Sequence, residues 1–330
     1  MSSSGVLSVG PAQASPASRR GDGYAESRRV EQRARAGRLG VRVLALGYLA
    51  VLLLLPVLMV FYRTFEHGLG PVWSAITRPN AVHAFWLSIE LVAIAVPLNT
   101  VFGIGAALLL ERGRFRGRGL LGMLIDVPFA ISPVVVGLAL VLVYGNNGWL
   151  GGPLQEAGFQ VIFSVPGMVL ATAFVSLPFV ARETIPVLRE LGAEAEQAAA
   201  TLGASAWQTF WRVTLPAIRW GVVYGVVLTT ARALGEFGAV SIVSGRLEGQ
   251  TQTLPLYVQD RFENFDTTGA YSAAVVLALL ALGTLVAMNL LTRRTRAAQS
   301  QMTRDRSSRT TPERSSDAER QPVAPGEATP

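Results

Sequence analysis

Few residues in this chain can do chemistry, and most of those that can sit in apolar surroundings. Arg232 and Glu236 lie four apart inside an apolar stretch that also holds Thr229. A charge at mid-bilayer costs about 2.5–3.5 kcal/mol on insertion scales, so it needs a partner or a task. At this spacing the two side chains share a helix face and can neutralise one another. Equally, Arg232, Glu236 and Thr229 can border a route for an anion. Glu90 and Asp126 are acidic residues in or near other apolar stretches. Either can cap a broken helix or bind water.

Other chemistries lack their residues. The chain has no Cys, which removes disulfides, thiolate metal sites and Cys nucleophiles. All 29 basic residues are Arg. Without Lys there is no ordinary phosphate-binding P-loop and no Schiff-base site. His67 and His83 are the two His, and no HExxH motif exists. No catalytic residue, metal or cofactor is expected.

The elements that must position these residues are membrane helices. Charged residues make up 15% of the 330, against about 25% in soluble domains. Mean hydropathy is +0.38. A span needs about 20 mostly apolar residues, and six stretches qualify: 41–62, 84–110, 119–144, 161–181, 220–244 and 271–292. The chain is therefore expected to be all-α and polytopic. Interior prolines such as Pro56, Pro97, Pro128, Pro133 and Pro178 suggest kinked spans. Twenty-four Arg fall before or at the start of the first span, in 111–118, in 182–219 and after 292; four fall in the other loops. That split places both termini in the cytoplasm and explains the net charge of +7 without nucleic acid. Residues 1–40 and 293–330 are polar, rich in Arg and Ser, and expected to be disordered.

One predicted cytoplasmic loop is too long to be a plain connection. Residues 184–216 read as a helix–turn–helix elbow. An Ala- and Glu-rich helix runs to Leu202 and stops at Gly203. Ser205 and Gln208 match a capping box for a second helix. Trp207, Phe210 and Trp211 share one face of it, and Pro216 disfavours simple continuation. The small side chains of the first arm let another surface approach closely.

The elbow contains Gln197-Ala198-Ala199, three residues, Gly203, nine residues, Val213, one residue, then Leu215-Pro216. This resembles the Glu-Ala-Ala motif of ATP-binding-cassette importer permeases, with Gln197 where that family usually carries Glu. ARALGEFGA and SGRLEGQTQTLPLYV (244–258), with 88–113, resemble the permeases for sulfate and molybdate oxyanions. Within them the chain is most similar to the sulfate/thiosulfate W-type subunits, a choice supported by FENFDTTGAYSAA at 262–274.

The resemblance implies a type I importer permease domain over 84–292, preceded by a first helix at 41–62. It implies plasma-membrane import of sulfate or thiosulfate, driven by two copies of a separate ATPase subunit seated on the elbow. A second homologous permease and an extracytoplasmic sulfate-binding protein would complete the assembly. A molybdate or tungstate permease is the alternative within the class. A secondary transporter is the alternative outside it, but no internal inverted repeat is visible and the elbow would be unexplained.

Overall fold

Helix dominates because long apolar runs must satisfy every backbone N–H and C=O within themselves in lipid. The computed structural model describes residues 16–309, with side-chain surroundings over 40–287 and at Leu290. The chain forms two units, 1–66 and 67–330. The first unit is one helix, α1 (Pro16–Phe65), whose apolar segment is Gly40–Phe65. Side chains such as Leu44 and Leu52 stand exposed along it, as a lipid-facing helix requires.

The second unit begins with α2 (Leu69–Ile76), α3 (Pro79–Arg112), α4 (Arg118–Ala130) and α5 (Pro133–Tyr144). It continues through α6 (Gly151–Glu156), α7 (Val165–Ser176), α8 (Pro178–Leu191), α9 (Glu194–Thr201) and α10 (Ala206–Thr209). A π-helical turn at Phe210–Thr214 leads into α11 (Leu215–Leu234), followed by α12 (Gly238–Val243), α13 (Leu254–Glu263) and α14 (Thr267–Arg309). Among the described residues there is no strand. Five helical segments are long and apolar enough to cross a membrane, or six if α4 and α5 form one broken span.

The spans differ from expectation in three places. First, 119–144 is not continuous: α4 and α5 meet at 111°. Ser132 precedes Pro133, and a residue before proline is pushed out of the helical region; its ψ is 135°. Second, the fourth span does not end at 181. It runs Val165–Leu191, because Pro178 occupies the first turn of α8, where no N–H is needed. Third, the fifth span is Ala206–Leu234 rather than 220–244. Pro216 does not break it, because the preceding turn is widened and Leu215 N–H reaches back five residues to Phe210 O. The elbow between spans therefore shrinks from 184–216 to about residues 192–205.

Backbone helix also extends back to Pro16 and on to Arg309, where the composition suggests disorder. Ala, Arg and Gln in both extensions have good helix propensity. The expected disorder over 1–15 and 310–330 lies outside the described residues.

Close helix packing holds the second unit together. Lipid offers no hydrophobic drive between spans, so small residues that allow close approach matter most. Val180, with no accessible surface, sits in a slot between Gly103 of α3 and Gly225 of α11. A Cβ at Gly103 would lie 2.6 Å from Val180 Cβ; one at Gly225 would lie 2.8 Å from Val180 Cα. Further along, Asn99 Nδ2 donates to Ala173 O at 3.0 Å and Ser176 Oγ at 2.9 Å, tying α3 to α7. A second apolar cluster joins α3, α5, α7 and α12 through Leu91, Val136, Met168 and Val240.

The end of this unit opposite the elbow is fastened by polar contacts. Asn80 donates to Glu248 at 2.7 Å, Arg261 pairs with Glu248, and Arg78 pairs with Asp266. Asp266 also accepts the Gly269 N–H at 2.9 Å, capping α14. Burial alone would push the Asp266 carboxyl up. The Gly269 N–H and the Arg78 guanidinium outweigh that and hold it below the usual carboxylate range.

Candidate functional site

The elbow forms because its stop and start signals are local. Gly203 has φ +84°, a conformation that suits glycine and turns the chain after α9. Ser205 Oγ accepts the Gln208 N–H at 3.3 Å, and Gln208 Oε1 accepts the Ser205 N–H at 2.9 Å, completing the capping box. Trp207 and Trp211 stack edge to face at 5.5 Å, with Phe210 beside both.

The elbow presents large apolar side chains outward among its polar ones. Leu202 is 88% exposed and Trp207 70%. Gln197, Ala198 and Gly203 are exposed, Ala199, Val213 and Leu215 are half-buried, and Pro216 is exposed. No residue of α9 is buried. Small and apolar side chains thus stand at the turn, a surface suited to being covered by another protein.

Sequence reading missed what holds α9 in place. Glu196 Oε2 accepts Arg112 Nε–H at 2.7 Å, and its Oε1 accepts the Thr214 hydroxyl at 2.9 Å. Arg112 also donates to the carbonyls of Leu188, at 3.3 Å, and Gly192. Beside it, Glu111 pairs with Arg189 at 2.7 Å and with Arg118 at 3.7 Å. The available signal was the Glu111-Arg112 pair closing an apolar span on the elbow's side of the chain.

The charged residues of the fifth span divide. Arg232 and Glu236 meet, with Nη1 to Oε2 at 2.7 Å and side chains 33% and 2% exposed. Their relation is not that of one helix face, because α11 ends at Leu234. Glu236 lies in the break before α12, and its Oε1 accepts the Ala239 N–H at 2.9 Å, holding that helix's first turn. Thr229 is fully enclosed and its hydroxyl donates to Gly225 O at 2.7 Å, within its own helix.

Two helix breaks abut here. A Cβ on Gly238 would lie 2.9 Å from Pro133 Cβ and 3.5 Å from Val134 N. The start of α12 therefore rests on the start of α5, so the break between α4 and α5 abuts the break between α11 and α12. Asp126, before the first of them, pairs through both carboxylate oxygens with Arg182. Glu90 lies exposed on α3.

Comparisons with known proteins agree with this architecture. The family described as "Binding-protein-dependent transport system inner membrane component" matches residues 99–297, against the expected domain at 84–292. The chain is 56% identical to the sulfate transport system permease protein CysW of Synechocystis sp. over 76% of its own length and 91% of the relative's. It is 51% identical to the protein of the same name from Escherichia coli K12, over 73% and 83% of the two chains. A crystal structure of a bacterial transporter that imports alginate has the same fold, with a TM-score of 0.65 at 17% identity, covering 81% of this chain and 99% of that one. With a family match over more than half its length and relatives above half identity, this chain belongs to the inner-membrane components of binding-protein-dependent transport systems.

Proposed function

We propose that this chain is a membrane-spanning subunit of an ATP-driven importer that brings sulfate or thiosulfate into the cytoplasm. The observation that carries the reading is the 56% identity, over nearly the whole relative, to a permease named for sulfate transport. The elbow supports the coupling half: a rigidly capped turn with an uncovered apolar tip, joined directly to two spans. Two copies of an ATPase subunit would cover such tips, one on this chain and one on a second homologous permease. ATP is then hydrolysed by other chains, in keeping with a sequence that has no Lys for a P-loop. An extracytoplasmic sulfate-binding protein delivers the anion to the end fastened by Arg78, Asp266, Glu248 and Arg261. The Arg distribution supports both termini facing the cytoplasm.

In this reading, ATP binding moves the elbows, and the spans attached to them re-orient as rigid bodies. The abutting breaks at Ser132–Pro133 and Gly235–Phe237 are where the spans can hinge without losing internal helix bonds. Arg232 is the pathway residue, with Glu236 holding its guanidinium. Thr229 supports that turn of α11 from inside the packing. The domain comprises 84–292, preceded along the chain by the 41–62 helix.

The test is uptake of labelled sulfate by cells lacking this chain, with thiosulfate and molybdate as competitors. Lost uptake, restored by the gene and competed by thiosulfate, is the expected result. Normal sulfate uptake in cells with no second importer, with molybdate uptake lost instead, overturns the substrate assignment.

A further inference from the structure

We infer that Glu196 is the residue that fixes the angle of the elbow helix on the spans, acting as a polar latch through Arg112 and Thr214. The inference rests on the coupling role proposed above and concerns how that coupling is transmitted.

Four elements converge on one carboxylate and one guanidinium. Glu196 lies on α9, Arg112 is the last residue of α3, and Thr214 closes the π-helical turn before α11. Arg112 also grips the end of α8 through the carbonyls of Leu188 and Gly192. Both side chains of the Arg112–Glu196 pair are about three-quarters buried, at 24% and 22% exposed, and every contact is a charge-assisted hydrogen bond. Such bonds are directional, so they fix an angle as well as a position.

Nothing else in α9 can do this. None of its residues is buried, so no apolar anchor fastens it. It is flanked by Gly192 at φ +65° and Gly203 at φ +84°, two points where the chain turns. A short helix between two such turns, lacking a buried face, transmits a push only if a side chain couples it to the spans. Glu196 reaches α3 and the start of α11 at once. Gln197, which occupies the motif position usually filled by Glu, is exposed, and its side chain has no hydrogen-bond partner among the described residues. Carboxylate and exposed amide thus divide two tasks: Glu196 holds the helix from inside, and the Gln197 side faces outward.

The experiment uses the full transporter, this chain with its companion permease and ATPase subunits, in proteoliposomes with the loaded binding protein. Glu196→Gln and Arg112→Gln are compared with Glu190→Gln and with the exchanged pair Arg112→Glu/Glu196→Arg. The first two are expected to retain ATPase co-purification while sulfate carried per ATP falls about tenfold. Glu190→Gln, at an exposed carboxylate near the end of α8, keeps the wild-type ratio, and the exchanged pair recovers at least part of it.

A second readout is independent of the transported ion. The chain has no native Cys, so spin labels at Ala200→Cys and Leu109→Cys report the α9-to-α3 distance without background from this chain. That distribution is expected to broaden in Glu196→Gln and to narrow again in the exchanged pair. Wild-type transport ratio with an unbroadened distance in Glu196→Gln overturns the latch. So does a larger loss in Glu190→Gln than in Glu196→Gln. If the unmodified complex carries no sulfate but the distances behave as stated, the substrate assignment fails and the latch stands.

Discussion

Gly103→Ala is the most direct test of how the spans are packed. The added carbon would meet Val180 Cβ at 2.6 Å, Val180 Cγ1 at 2.8 Å and the backbone N of Ala181 at 2.9 Å. Carbon pairs rest at about 3.5–4.0 Å, so α3 and α8 must separate by about 1 Å. Val180 cannot retreat, because its Cα already lies where a Cβ on Gly225 would come within 2.8 Å. Overpacking of this kind costs about 1–3 kcal/mol. The consequence should travel. Arg112 is nine residues further along α3, about 13.5 Å at helical rise, and its bonds to the Leu188 and Gly192 carbonyls close the same helix pair. A wedge at Gly103 therefore loosens the elbow end as well. The assay is thermal: the purified chain is heated in detergent and the folded fraction is read by gel filtration. Gly103→Ala should lower the midpoint, and adding Val180→Ala should restore only part of it. That second change removes Cγ1 but leaves both Cβ and the Ala181 backbone in place. A wild-type midpoint for Gly103→Ala, or full rescue by Val180→Ala, would falsify the slot.

Arg232→Ala should leave the Glu236 carboxylate buried without its counter-charge, a loss of about 3–5 kcal/mol; membrane levels should fall, and Glu236→Gln added to it should recover them. Levels unchanged in Arg232→Ala would mean the pair is not buried in the assembled protein. Asp266 gives a pH signature. Its carboxyl is held below its ordinary value, near 4, so its contribution is complete above that value and is lost as pH falls through the lower folded one. The thermal midpoint of the wild type should therefore drop more steeply in acid than that of Asp266→Asn; parallel curves would rule the contribution out. Ser205→Ala should remove the hydrogen bond to the Gln208 N–H, costing about 1 kcal/mol locally. Faster amide exchange confined to Ala206–Thr209 is the expected readout, and unchanged exchange would count against the cap.

Signals written within a few residues of one another were legible in the sequence. The Ser205/Gln208 box, the Gly203 stop and the pairing of Arg232 with Glu236 all appear in the structure. Span existence was also legible, because hydropathy is summed over many residues. What was not legible depends on partners far along the chain. Glu196 is 84 positions from Arg112, and Arg182 is 56 from Asp126. No periodicity links them. Pro216 misled because proline's usual effect assumes an α-helical turn before it, and a π-helical turn relieves the clash. Glu236 seemed to continue a helix because spacing was visible and the break at Gly235 was not.

The uncovered tip at Leu202 and Trp207 has a consequence for the cell as well as for coupling. A chain made in excess of the proteins that cover it keeps a large apolar spot in water, and such spots are sites of aggregation and of capture by quality control. In the assembly proposed above, synthesis of this chain therefore has to be matched to that of the ATPase subunit, and the surplus should be short-lived.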